Sequence, residues 1–152
     1  MTEFKSVDDI LEFAIREEQK ASELYTSLAS RSRNRMIQEV FIQFSREELG
    51  HKKKLEAIKR KDYVVVSREK VMDMKIGDYL VDVNKSREDL TYQESLIIAM
   101  KEEKAAFRLY LDLANRTEDA RLKKTFLMLA QEEAKHKLRF EIEYDDYILK
   151  EN

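Results

Sequence analysis

The sequence predicts an all-α protein: a four-helix bundle made of two repeated helical hairpins joined by a long crossover. Three observations predict it. The chain repeats itself at a spacing of 85 residues: with 10–58 set against 95–143, sixteen of 49 positions are identical. Its 152 residues are the size of one domain with a real core, and they include no proline and only two glycines, which leaves helices uninterrupted. Apolar residues recur at steps of three and four along four segments, the period of a helix with one buried face.

The elements follow in order. Helix 1 is predicted over Val7 to Ser30, with Ser6 and Asp9 in the spacing of a capping box. Helix 2 runs from about Arg33 to Lys61, closing a first hairpin over 7–61. Residues 62–90 form the crossover. A connection that long carries structure of its own in a compact domain. Met72, Met74, Ile76, Tyr79 and Leu80 predict a short helix across the bundle, and Tyr63 to Val66 an extended stretch. Helix 3 is predicted from Tyr92 to Asn115 behind the capping box of Thr91 and Glu94. Helix 4 begins at about Glu118 with Thr117 as its cap and completes a second hairpin over 92–150. The crossover is expected to let the second hairpin start from the same end as the first, so that residues 1–152 form one domain.

Each helix is apolar along its core stripe except at the middle. Helix 1 has Leu11, Ala14, Glu18, Ala21, Tyr25 and Leu28, and helix 3 has Leu96, Ala99, Glu103, Ala106, Tyr110 and Leu113. Helix 2 places Glu48 and His51 between Phe44 and Leu55, and helix 4 places Glu133 and His136 between Leu129 and Phe140. Burying an unpaired carboxylate costs several kcal/mol, and no Lys or Arg lies inside the stripes. Two divalent cations would balance four glutamates, with two neutral imidazoles completing the donor set. Glu and His at i and i+3 share one helix face. Each such pair can therefore bind one ion while the single Glu of the neighbouring helix bridges or caps. Glu18, Glu48, His51, Glu103, Glu133 and His136 are the candidate metal ligands, and no further catalytic residue is assigned. Carboxylate mixed with imidazole suits Fe or Mn, and Zn also fits.

At these residues the chain resembles the rubrerythrin-like branch of the ferritin-like di-iron carboxylate family. The matching stretches are EEQKASELYTSLA with EELGHKKKLEAI, and EEKAAFRLYLDLA with EEAKHKLRFEIE, so the resemblance covers both hairpins. It implies a ferritin-like four-helix bundle with a non-haem di-iron centre: one Glu from each of two helices and Glu-x-x-His from each of the others. The implied activity is reduction of peroxide or oxygen with electrons from an external donor such as rubredoxin. Oxidation of ferrous iron, or a non-catalytic metal-binding bundle, are the alternatives. The resemblance also implies a homodimer, and hydroxyls of Tyr25 and Tyr110 that reach ligand carboxylates. In rubrerythrin proper an extra Glu follows the single Glu of helix 3 by one turn. Here that position is Ala106, which brings the ligand set closer to the symmetric one of bacterioferritin.

Other readings bound the function. No cysteine is present, which excludes disulfides, iron–sulfur clusters and a rubredoxin-type iron site within the chain. The only glycines, Gly50 and Gly77, make no flavin or nicotinamide fingerprint. A formal charge of -2 gives no overall attraction to nucleic acid or an anionic membrane. The opening MTEFKSVDDILEF has no basic and apolar leader, and a cytoplasmic protein is expected. Glu17 and Glu102 leave the stripe and read as solvated charge. Glu47 and Glu132 read either as solvated charge or as acceptors for a ligand His of another helix. Gly50 marks either a close neighbour or a π-bulge.

Overall fold

The computed structural model describes residue 4 and residues 6–61, 74–83 and 85–151. Four long helices account for most of them: α1 Val7–Ser30, α2 Arg35–Lys61, α3 Tyr92–Arg116 and α4 Ala120–Glu151. Each starts at a side chain that accepts an otherwise unpaired N–H of the first turn. Ser6 Oγ accepts from Asp9 N–H at 3.1 Å, and Thr91 and Glu94 close a reciprocal capping box. Two starts differ from expectation. α2 begins behind Asn34, whose Oδ1 accepts from Ile37 N–H, because Arg33 is drawn away to Glu143. α4 begins behind Asp119, whose Oδ1 accepts from the Arg121 and Leu122 N–H groups. Thr117 caps nothing there: its hydroxyl donates back to Leu113 O at 2.7 Å and ends α3.

α1 packs on α2 and α3 on α4, and the backbones of the two hairpins approach most closely through α1 and α3. The core divides into two apolar clusters. One gathers Phe4, Phe13, Leu55, Leu113 and Phe126, the other Leu28, Phe41, Leu96 and Phe140. The buried glutamates and histidines lie on the same stripes, between the residues of the two clusters.

The second hairpin starts from the opposite end to the first, contrary to expectation. Arg31, at the end of α1, donates to Leu90 O and Ser95 Oγ at the start of α3, both at 2.8 Å. Arg33 and Tyr92 both donate to Glu143, which is 1 % exposed. α1 and α3 are therefore antiparallel, and the crossover travels the length of the bundle. That length is what makes it long. The predicted short helix is, among the described residues, a 3-10 turn over Ile76–Tyr79. Met74 and Tyr79 are buried and Leu80 is exposed. The Tyr79 hydroxyl donates to Asp112 of α3 at 2.6 Å. Met72 and Tyr63 to Val66 lie outside the described residues. A second 3-10 turn, Arg87–Asp89, leads into α3. No helix of the described residues is long and apolar enough to cross a membrane.

Gly50 meets neither expectation. α2 runs through it as regular α-helix, and a Cβ built there would meet nothing within 4 Å. Its backbone freedom is then a cost without a packing return. Gly50→Ala should stabilise the fold by about 1 kcal/mol, a rise of about 2–4 °C in Tm, which a thermal melt would show. Asp119→Ala should lower stability by about 1 kcal/mol through loss of the α4 cap, measurable by urea denaturation.

Candidate metal centre

All six candidate ligands come together at the middle of the bundle, each at most 3 % exposed. Their donor atoms form two groups, and within each group they lie within 4.8 Å of one another. One is Glu18, Glu48, His51 and Glu133; the other is Glu48, Glu103, Glu133 and His136. Glu48 and Glu133 belong to both. The glutamates of the Glu-x-x-His pairs therefore sit between the two positions, while the single glutamates Glu18 and Glu103 lie at the ends.

The 85-residue repeat is visible in the hydrogen bonds. The Tyr110 hydroxyl donates to Glu18 Oε1 at 2.6 Å, and its counterpart Tyr25 donates to Glu103. Each tyrosine thus reaches the glutamate of the other hairpin. Burial and the nearby Glu18 charge push the Tyr110 hydroxyl well above its usual range, so it keeps its proton. The imidazoles are held the same way. Glu132 accepts from His51 Nε2–H, and Glu47 accepts from His136 Nε2–H at 3.0 Å. Both acceptors are partly exposed, and of the two readings open for them the structure selects acceptance from a histidine across the bundle. With Nε2 so occupied, Nδ1 of each ring is turned into the cluster. His136 Nδ1 lies 3.1 Å from Glu48. His51 Nδ1 lies 2.7 Å from Glu133 without the alignment of a hydrogen bond.

Glu17 and Glu102 divide. Glu17 accepts from Lys20 at the surface, as solvated charge does. Glu102 does not stay solvated: its side chain is 8 % exposed and receives Arg87 Nη2 at 2.5 Å. The crossover covers this side of α3, which helical periodicity does not reveal. Arg87 was likewise missed, since nothing in its local sequence sets it apart from surface charge. Beside the cluster is a cavity of about 40 Å³ lined by Glu18, Glu103, Tyr110, Ala106, Arg87 and Glu102, among others. That is room for about three water-sized molecules. Ala106 lines it where a Glu would fill it.

Whether the site suits metal ions is tested by its unpaired atoms. Glu18 Oε2, Glu103 Oε2, both oxygens of Glu48 and Glu133, and Nδ1 of both histidines are buried without a hydrogen-bond partner. Native proteins rarely leave such atoms unpaired. All eight can present lone pairs, and they converge, so the donor set fits two cations.

A ferritin-like bundle enclosing a buried carboxylate–histidine cluster is the class that fold and site define. The chain belongs to the rubrerythrin family, whose model matches residues 9–144. A crystal structure from Thermotoga maritima, described as a ferritin-like diiron-carboxylate protein, is similar over 97 % of this chain and 99 % of that one. Its TM-score is 0.76 at 22 % identity. No curated protein matches the sequence.

In the metal-free protein the cluster must hold protons. Burial, aided by the Glu133 charge, raises the Glu18 carboxyl to about 7 and takes Glu48 and Glu103 well above the usual range. Burial opposes a charge on His51, but Glu133 and Glu18 beside it more than offset this and raise it to about 11. Burial also pushes Glu133 up, yet His51 and the neighbouring carboxyls hold it down to about 2. Raised carboxyls stabilise the fold fully below about pH 4.5, and that contribution is lost as pH rises, for Glu18 through 7. The His51 contribution is complete below 6.5 and lost towards 11. Glu133 acts oppositely, its contribution being lost only as pH falls from 4.5 towards 2. Metal-free protein should therefore melt at a higher temperature at pH 5 than at pH 8. Calorimetry in chelator would check this, and a midpoint rising with pH would contradict it.

Proposed function

We propose that Glu18, Glu48, His51, Glu103, Glu133 and His136 hold two metal ions, iron in the working protein. We further propose that the chain reduces peroxide or dioxygen with electrons from an external donor. The observation that carries this is the convergence of eight buried donor atoms without hydrogen-bond partners, in a cluster whose glutamates line a small cavity. Mixed carboxylate and imidazole donors favour Fe or Mn over softer metals. A bound redox-active pair would supply two electrons to an O–O bond, with the balance H₂O₂ + 2 e⁻ + 2 H⁺ → 2 H₂O.

The chain's own residues do the rest. Glu47 and Glu132 orient the two imidazoles through Nε2. Tyr25 and Tyr110 hold protons on their hydroxyls, each donated to the glutamate at one end of the cluster. These bonds fix the carboxylates in place before any ion arrives. Phe13, Ala14, Ala21 and Leu109 give the cavity apolar walls, which limit the water that reaches the reacting oxygens. Electrons must come from outside, since the chain has neither cysteine nor a nucleotide-binding glycine pattern. Rubredoxin with its reductase is the donor to try first.

Two experiments test this reading. Glu48→Ala or His136→Ala should lower bound metal well below two ions per chain by elemental analysis, whereas Glu17→Ala should not. Equal loss in all three would mean a different set of ligands. Reduced, iron-loaded protein should consume about one peroxide per metal pair in a single fast phase, as two-electron stoichiometry requires. Further turnovers should need rubredoxin with its reductase or a chemical reductant. Protein that ignores peroxide but oxidises added Fe²⁺ with O₂ would be a ferroxidase instead.

A further inference from the structure

Among the described residues, nine buried side-chain atoms have no hydrogen-bond partner in the protein. Eight are the donor atoms of the cluster. The ninth is Arg87 Nη1. The other terminal nitrogen of that guanidinium donates to Glu102 Oε1, which anchors the group at the same cavity that Glu18 and Glu103 line. The Arg87 side chain is 33 % exposed, yet this nitrogen is buried, and a buried N–H without a partner calls for an explanation. The explanation for the other eight, a cation, fails here. Guanidinium nitrogens only donate and always carry charge. What would satisfy Arg87 Nη1 is an oxygen or a small anion inside the cavity.

The charges around the opening agree. The Glu17 and Glu102 carboxylates would draw divalent cations, but Lys20 and Arg87 neutralise them one for one. The cluster's four inner carboxylates have no such partners. The outer pairs thus leave no net charge, and the group there that lacks a partner is the Arg87 Nη1 donor, which suits an oxygen atom.

We propose that Arg87 is a substrate-binding residue: through Nη1–H it holds the small oxygen compound that enters the cavity. Hydroperoxide is the occupant if the oxygen-reducing reading above is right, and the proposal rests on that reading. Arg87 has no counterpart in the sequence repeat, because it lies in the crossover. Among the described residues, one face of a nearly symmetric centre thereby gains a recognition group without a counterpart on the other.

The test uses azide, a small anionic probe, titrated into the iron-loaded full chain and followed by visible absorption. Arg87→Met should weaken azide binding about tenfold or more, the loss expected for a charge-assisted hydrogen bond. Two irons per chain should remain, and the KM for peroxide should rise with kcat little changed. Arg87→Gln, which keeps a weaker neutral donor, should lose less. It also carries the test if the methionine variant does not fold. Unchanged azide affinity in whichever variants retain iron would overturn the proposal and reduce Arg87 to a clamp for the crossover. Arginine-dependent azide binding in a protein that reduces neither peroxide nor dioxygen would reject the oxidoreductase reading while leaving Arg87 assigned as the binding residue for a small oxygen compound or anion. Wild-type protein that holds no metal would remove both, and elemental analysis would reveal it.

Discussion

Four carboxylates buried at one level of a helical bundle repel one another, and the centre is arranged around that repulsion. No lysine or arginine of the helices' core stripes reaches them. Their neighbours are two tyrosine hydroxyls, two imidazoles and one another. Hydroxyls can share a proton with a carboxylate but cannot neutralise it, so charge balance falls to protons or to metal ions. The fold tolerates this because its stability comes from elsewhere. Apolar clusters around Leu113 and Phe126, and around Phe41 and Phe140, supply most of the burial. A single polar layer within such a core lowers stability without abolishing it, and in return it specifies where the helices must align.

The two histidines show how that alignment is enforced. An imidazole left free to choose its tautomer would turn either nitrogen inward. Glu132 and Glu47 remove the choice by accepting at Nε2 from partly exposed positions on the opposite helix. Because each acceptor immediately precedes a cluster glutamate, rotating α4 to misplace Glu132 would misplace Glu133 as well. Orientation of the ring and placement of the carboxylate are thus one constraint.

Much of this was legible in the sequence, for identifiable reasons. A repeat that keeps Glu, Tyr, Phe and His in register fixes which helix faces correspond, and a 3.6-residue period fixes which of them point inward. Glu18, Glu48, His51, Glu103, Glu133 and His136 could be read from those two signals alone. The direction of the second hairpin could not, because a 29-residue connection permits either end and no local pattern distinguishes them. The same gap hid Glu102 and Arg87. Their pairing depends on where the crossover lies, and the crossover has neither periodicity nor repeat. Asp119 was passed over for Thr117 because both residues cap well, and only the end of α3 decides between them.

The cross-bonding of the hairpins also bears on how the chain acquires its structure. The four hydrogen bonds that organise the centre join residues 78 to 92 positions apart. Within each hairpin, by contrast, partners are close along the chain and can pair early. Contacts closing such long loops form slowly, after the entropy of bringing distant segments together has been met. Each hairpin can therefore close its own contacts without the other, whereas the centre needs both. During synthesis the first hairpin emerges with Glu18, Glu48 and His51 but lacks Tyr110, Glu132 and Glu133. By itself that hairpin carries half of the donors that the centre brings together.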